Sequence, residues 1–173
     1  MFVVKDTTHI NAPIERCFLL STSVELVART LGMTPVAGKT SGLILANDRL
    51  TWRGWKFGLP QFHETLITAY DAPRFFQDTM ARGRFRTFHH DHEFTFIAGH
   101  TLLKDTVRFS LPFGPVGHLV GKHILVPHIR TLLANRFAVL KRIAESEEWR
   151  RYIPAPDSPA RLTPHLHLTR KGG

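Results

Sequence analysis

The feature that most constrains the fold is the alternation of short apolar runs and turn residues between Thr40 and Leu111. Apolar and aromatic residues recur there in runs spaced 8–14 residues apart. The turn residues between them are Asn47-Asp48, Gly58-Leu59-Pro60, Asp71-Ala72-Pro73, Gly83-Arg84 and Ala98-Gly99. No segment of helix length separates the runs, which excludes parallel β-α-β units. The pattern predicts an antiparallel meander of about six strands.

The elements on either side of this meander complete the predicted fold. Residues 2–10 are rich in β-branched side chains and predict a strand, which is followed by two short helices that end at Gly32. From Pro115 the apolar residues keep helical spacing over about 30 residues, with an expected kink at Pro127 because proline donates no hydrogen bond. We expect an α+β fold in which a curved antiparallel sheet of about seven strands packs around the long kinked C-terminal helix.

Composition sets the class of protein. A chain of 173 residues that is 43% apolar can bury a core, so disorder over the whole length is excluded. Its single cysteine, Cys17, excludes an internal disulfide and a cysteine-based zinc cluster. We predict one domain over residues 1–150 and a loose, proline-rich tail over residues 151–173.

The N-terminal segment shows no signal-peptide pattern, and no run approaches the roughly 18 apolar residues of a membrane span. We therefore expect a cytoplasmic protein.

The charge of +9 is unevenly distributed. Residues 1–114 contain 13 basic and 10 acidic residues, whereas residues 115–173 contain 10 basic and 4 acidic ones. The basic residues form no long run and match no nucleic-acid-binding motif. We therefore expect a solvated basic face and no DNA partner. A weak contact of the basic C-terminal segment with an anionic membrane or RNA is the alternative.

Strand parity predicts a polar pair on the inner face of the sheet. In the sequence FHHDHEFTF, alternation places His90 and His92 on the same face as the phenylalanines. A two-residue turn at Ala98-Gly99 then places His92 opposite Asp105. The parity of Asp78 depends on the loop near Gly83: a three-residue loop turns Asp78 inward and a two-residue loop turns it outward.

Six features of residues 2–148 form a recognisable set: HINAPIERCF, TWRGWKFG, APRFFQDTM, FRTFHHDHEF, TLLKDTVRFSLPFGPVG and a terminal helix that contains Arg136. This set resembles the START-like superfamily, also called SRPBCC or Bet v 1-like, and most closely its cyclase/dehydrase-type ligand-binding branch. The resemblance implies a helix-grip fold with an internal apolar cavity and favours an inward Asp78.

The predicted function is therefore the binding of a hydrophobic small molecule, such as a lipid, an isoprenoid or a polyketide-like compound, by a carrier or sensor. The predicted ligand-binding residues are Trp52, Phe57, Phe76, Asp78, Met80, Phe88, His90, His92, Phe94, Leu103, Asp105, Val107, Phe109, Leu119 and His123. No cofactor is required by this function.

The His92–Asp105 pair has four interpretations. It can satisfy two buried polar groups, or it can anchor a polar group of the ligand. It can also transfer protons together with His90 in a polyketide cyclase or dehydrase, the enzymatic alternative. A metal site would need a third ligand, for which His63 is only a guess, so we expect no metal. An interaction module that docks a membrane or RNA is the third class of function.

Overall fold

The computed structural model describes residues 1–153, and seven antiparallel strands form one sheet in the order β1-β7-β6-β5-β4-β3-β2. The strands are β1 (Phe2–Ile10), β2 (Thr34–Gly38), β3 (Arg49–Lys56), β4 (Leu59–Asp71), β5 (Phe75–Arg82), β6 (Thr87–Ile97) and β7 (His100–Ser110). The predicted sheet is confirmed. Its second strand lies at Thr34–Gly38, ahead of the segment in which the meander was expected to begin.

Two short helices, α1 (Ile14–Thr22) and α2 (Val24–Leu31), follow the first strand. Ser23 separates them, and its hydroxyl accepts a hydrogen bond from the Leu26 N–H at the start of α2. Gly32 ends α2 in the left-handed conformation with φ of 60°, which suits a residue without a Cβ.

The C-terminal helical segment runs from Gly114 to Ala144 in three consecutive parts. Helix α3 (Gly114–Val120) is followed by a π-helical turn (Gly121–Leu125) and then by α4 (Val126–Ala144). The Val126 N–H donates to the Gly121 carbonyl, five residues back. The interruption expected at Pro127 therefore takes the form of a π turn directly before the proline. None of the helices within residues 1–153 is long and apolar enough to cross a lipid bilayer.

The core lies between the inner face of the sheet and α4. Buried residues of α4 at three- and four-residue spacing, among them Ile129, Leu133, Phe137 and Leu140, pack onto this face. Residues 151–153 were predicted to belong to the tail, but Ile153 is only 8% exposed and packs against the same core. The rest of the predicted tail, residues 154–173, lies outside the described part of the chain.

Candidate functional site

A cavity of about 250 Å³ lies between the sheet and α4. Most of its wall is apolar. The lining side chains include Trp52, Ile67, Phe76, Phe88 and Val107 of the sheet, Val27 and Leu31 of α2, and Ile129, Leu132 and Leu133 of α4. The cavity forms because the curved sheet and a single helix cannot fill the space between them along the whole length of the helix.

The cavity reaches the surface at one end, which we call the mouth. Phe57, Phe62 and Arg84 line it and are themselves exposed. The ring of Phe57, in the β3–β4 turn, contacts the ring of His128 on α4 with 4.7 Å between centroids. The mouth therefore lies between the β3–β4 hairpin and the beginning of α4.

A polar cluster interrupts the apolar wall and consists of Asp78, His90, His92, Asp105 and Arg136. Three neighbouring strands supply its first four members: Asp78 of β5 lies opposite His90 of β6, and His92 lies opposite Asp105 of β7. Arg136 enters the cluster from α4. The predicted register of His92 and Asp105 is confirmed, and Asp78 turns inward.

His92 lies between two carboxylates. Its Nδ1 is 2.9 Å from Asp105 Oδ1, and its Nε2 is 3.0 Å from Asp78 Oδ2. The Arg136 guanidinium donates to Asp105 Oδ2 at 2.9 Å. Asp105 is fully buried behind the cavity wall, whereas His92, which is 3% exposed, lines the cavity together with Asp78 and Arg136.

His90 lies beside this network and is less completely paired. Its Nδ1 is 3.6 Å from Asp78 Oδ2, which is longer than a hydrogen bond. Its Nε2 is 3.2 Å from Asp105 Oδ2, but the geometry is not that of a hydrogen bond, and this buried atom has no other partner within the described residues. Nδ1, which makes no hydrogen bond to any described residue, is therefore the atom of His90 left to pair with a bound molecule.

The electrostatics of the cluster favour a protonated His92 and ionised carboxylates. Burial alone would raise the pKa of Asp105, but the positive charges of His92 and Arg136 hold that pKa well below its usual range. Burial would lower the pKa of His92, but the Asp105 carboxylate outweighs it and raises the pKa. For His90, burial and the nearby charge of His92 both lower the pKa, which keeps this imidazole neutral.

Asp78, His90 and His92 also offer the donor set of a transition-metal site, with three possible ligand atoms within 4.8 Å of one another. The charges are balanced without an ion, because two carboxylates face Arg136 and a protonated His92. A metal ion would have to displace the proton that His92 shares with Asp78. The arrangement is better suited to holding a proton than a cation.

Comparison with known proteins gives similarity in structure only. No protein-family profile and no curated protein matches the chain. Protein TTHA0849 from Thermus thermophilus superposes with a TM-score of 0.63 at 17% identity, over 80% of this chain and 97% of that one. Ara h 8.0201 superposes with a TM-score of 0.59 at 13% identity, over 83% of this chain and 97% of that one. Ginseng major latex-like protein 151 from Panax ginseng superposes with a TM-score of 0.58 at 11% identity, over 84% of this chain and 98% of that one. This is the START-like, helix-grip fold.

The START-like fold brings eight of the predicted ligand-binding residues to the cavity: Trp52, Phe57, Phe76, Asp78, Phe88, His90, His92 and Val107. Asp105 lies behind His92 and does not line the cavity. Phe94, Leu103 and Phe109 also do not line it, because they are buried in the packed core. Met80 packs beside Gly83, outside the lining set.

Leu119 and His123 were predicted to bind the ligand, but both are exposed and lie outside the cavity lining. In this part of the START-like helix, Gly117 and Gly121 are the residues that face the protein. The π turn between α3 and α4 contains one residue more than an α-helical turn. The three- and four-residue spacing of α4, continued backward through it, therefore does not identify the buried face of α3.

Arg136 is the main site residue that the sequence analysis left out of its ligand-binding set. Its position is three residues after Leu133 and one before Phe137, on the buried stripe of α4. A lone arginine on such a stripe is a signal for a buried partner of opposite charge. His63, which was only a guess, lines the cavity near Gly83, and burial lowers the pKa of its imidazole.

Proposed function

We propose that this protein binds a hydrophobic small molecule with one polar group, as a carrier or sensor. The observation that carries the proposal is a largely apolar cavity whose wall contains the polar cluster of Asp78, His90, His92 and Arg136. Ligand cavities combine apolar walls with a few polar groups that fix orientation. The ligand would be a compound such as a lipid, an isoprenoid or a polyketide-like molecule.

The accessible members of the polar cluster would contact the ligand. Asp78 is 19% exposed and the side chains of His90 and Arg136 are each 12% exposed, whereas His92 and Asp105 are almost fully covered. Asp78 can accept a hydrogen bond and Arg136 can donate one, so a hydroxyl or a protonated acid of the ligand would satisfy both. Asp105 and His92 would hold these groups in place.

The cavity volume limits the ligand. A cavity of about 150 Å³ in an engineered protein binds benzene. The larger volume of about 250 Å³ therefore suits a molecule bigger than one aromatic ring. Further length would extend through the mouth, past Phe57 and Phe62.

Native mass spectrometry of the protein purified without added ligand tests the proposal. We expect an apolar molecule bound at one copy per chain, and a weaker retention of it by His90→Ala. His89→Ala is the matched control, because His89 is the exposed neighbour on the same strand. A protein that is empty and that also fails to bind fatty-acid or polyketide-like probes would contradict the proposal.

Proton transfer is the second candidate function, and the position of His92 between two carboxylates favours it. Asp78, which contacts both His92 and the cavity, would exchange the proton with the substrate. The reaction would be a cyclisation or dehydration of a polyketide-like chain. Turnover of a model polyketide that is lost in His92→Gln, while binding is retained, would select this candidate over the carrier.

A further inference from the structure

Helix α3 and the π turn expose an apolar face at the mouth end of the molecule. Gly117 and Gly121 face the protein, the first against the Pro112 carbonyl and the second against the Phe2 ring. Val116, Leu119 and Ile124 point away and are 67%, 61% and 47% exposed. An amphipathic segment whose apolar side faces solvent points to a partner surface.

The β3–β4 hairpin adds further apolar side chains at the same end. Phe57 and Leu59 at its tip are 59% and 51% exposed, and Phe62 is 45% exposed. The contact between Phe57 and His128 joins this hairpin to the start of α4, directly after Ile124 and Leu125. The exposed apolar side chains thus lie on both sides of the mouth.

The three segments around the mouth carry only positive charges, and Glu64 of β4, which lies opposite Arg82, is ion-paired with Arg49. The sequence contains no Asp or Glu in residues 49–63, 79–90 or 106–144, which form the hairpin, the β5–β6 turn and the helical segment around the mouth. Exposed cations in these segments include Arg82, Arg84, Arg86, Lys122 and Arg130. We call the surface formed by these cations and the exposed apolar side chains the mouth surface; its apolar members are Phe57, Leu59, Phe62, Val116, Leu119 and Ile124.

We propose that the mouth surface docks on an anionic lipid bilayer, so that the cavity opens toward the membrane. Aliphatic side chains can insert among acyl chains while the surrounding cations pair with lipid phosphates. Val116, Leu119 and Ile124 have no stacking or hydrogen-bonding role toward RNA. A second copy of the chain would bring two positive surfaces together, and like charges oppose that contact.

Vesicle co-sedimentation tests the apolar part of the mouth surface. The full chain is expected to bind phosphatidylcholine vesicles that contain phosphatidylglycerol and to leave pure phosphatidylcholine vesicles largely unbound. Val116→Ser/Leu119→Ser should weaken binding about tenfold or more, because two apolar side chains no longer insert. The control is Phe96→Ser/Ile97→Ser, which removes a pair 53% and 46% exposed at the opposite end of β6. Equal binding by both variants would overturn the proposal.

A pair of double variants tests the cations of the mouth surface. Lys122→Ser/Arg130→Ser removes two of them, and the control Lys5→Ser/Arg74→Ser removes the same charge elsewhere on the protein. Each cation near an anionic membrane strengthens binding by about fivefold, so the first variant should bind at least about tenfold more weakly than the second. Added salt should weaken binding of the unmodified chain. Salt-dependent binding of RNA with no binding of vesicles would overturn the membrane assignment, as would a dimer in solution that Val116→Ser/Leu119→Ser dissociates.

The inference rests on the proposed function only where it states that ligand passes between cavity and bilayer. Affinity for a soluble apolar probe, measured without vesicles, should be unchanged in all four surface variants, because none of the substituted residues lines the cavity. Loss of vesicle binding by a variant that still binds the probe therefore reports on membrane docking and not on the cavity. Absence of probe binding in the unmodified protein concerns the cavity alone.

Discussion

Asp105 is the residue whose substitution should lower the free energy of unfolding most. It is fully buried and pairs with both His92 and Arg136. Asp105→Asn leaves the Arg136 charge without its partner, so we expect the free energy of unfolding to fall by about 3 kcal/mol. Urea denaturation measures this. Asp91→Asn is the control on the outer face, where the partner Arg108 is 36% exposed and the loss should be smaller. Equal losses would mean that the inner cluster contributes no more than a surface ion pair.

The pH dependence of stability follows from the same cluster. The pKa of Asp105 is lowered despite its burial, so its stabilisation is present above the ordinary value of 3.8 and is lost as pH falls through the folded-state pKa. The pKa of His92 is raised, so its stabilisation is complete below 6.5 and is lost as pH rises through the folded-state pKa. We expect the free energy of unfolding to decline above pH 6.5. His92→Gln should remove this decline, and His89→Gln should retain it.

At the scale of single residues, the sequence predicted the side-chain positions that depend on one turn. The turn at Ala98-Gly99 fixes the β6–β7 register, and strand parity then placed His92 opposite Asp105. Asp78 was left open because its side depends on the loop from Gly83 to Arg86, which the sequence alone does not resolve. The partner of Arg136, Asp105, could not be predicted because it depends on how α4 crosses the sheet, which is a tertiary property.

At the scale of elements, the C-terminal helix shows where sequence periodicity succeeds and where it fails. The spacing of apolar residues predicted α4 and the interruption near Pro127. Between Val116 and Ile124 the same spacing indicated a buried face, but those apolar residues are exposed and the glycines are buried. Close approach to a backbone carbonyl favours a small residue over an apolar one, and periodicity does not register that preference.

Gly117 and Gly121 therefore lead to a prediction about helix packing. In an exposed helix, Gly→Ala stabilises by about 1 kcal/mol. A Cβ at Gly117 would lie 2.0 Å from the Pro112 carbonyl oxygen, so the backbone must move. At Gly121 the three nearest atoms to the added Cβ belong to the Phe2 ring, a side chain that can shift at less cost than a backbone segment. We expect Gly117→Ala to lower the free energy of unfolding by about 2 kcal/mol, and Gly121→Ala to change it little. Thermal denaturation of both variants measures the difference, and the reverse order would contradict this packing.

At the scale of the whole molecule, the order of elements was enough to predict the sheet and the helix that covers it. The distribution of charge was not predictable in the same way. The sequence attributes the excess of basic residues to the C-terminal segment, whereas folding collects cations from the hairpin, the β5–β6 turn and the helical segment around one mouth. Residues far apart in the chain become neighbours only through the sheet topology.

Because of the cavity, one buried valine should accept replacement by a larger side chain that would destabilise the protein elsewhere in the core. Val4 and Val107 are paired neighbours on β1 and β7, and each is 1% exposed, but only Val107 lines the cavity. Val4→Phe should lower the free energy of unfolding by about 1–3 kcal/mol through overpacking. In Val107→Phe the ring can enter the empty space, so stability should be kept or increased, while affinity for an apolar probe falls. Urea denaturation and probe titration of the two variants measure this. Equal destabilisation would show that the space beside Val107 is not available to a side chain, and therefore not to a ligand.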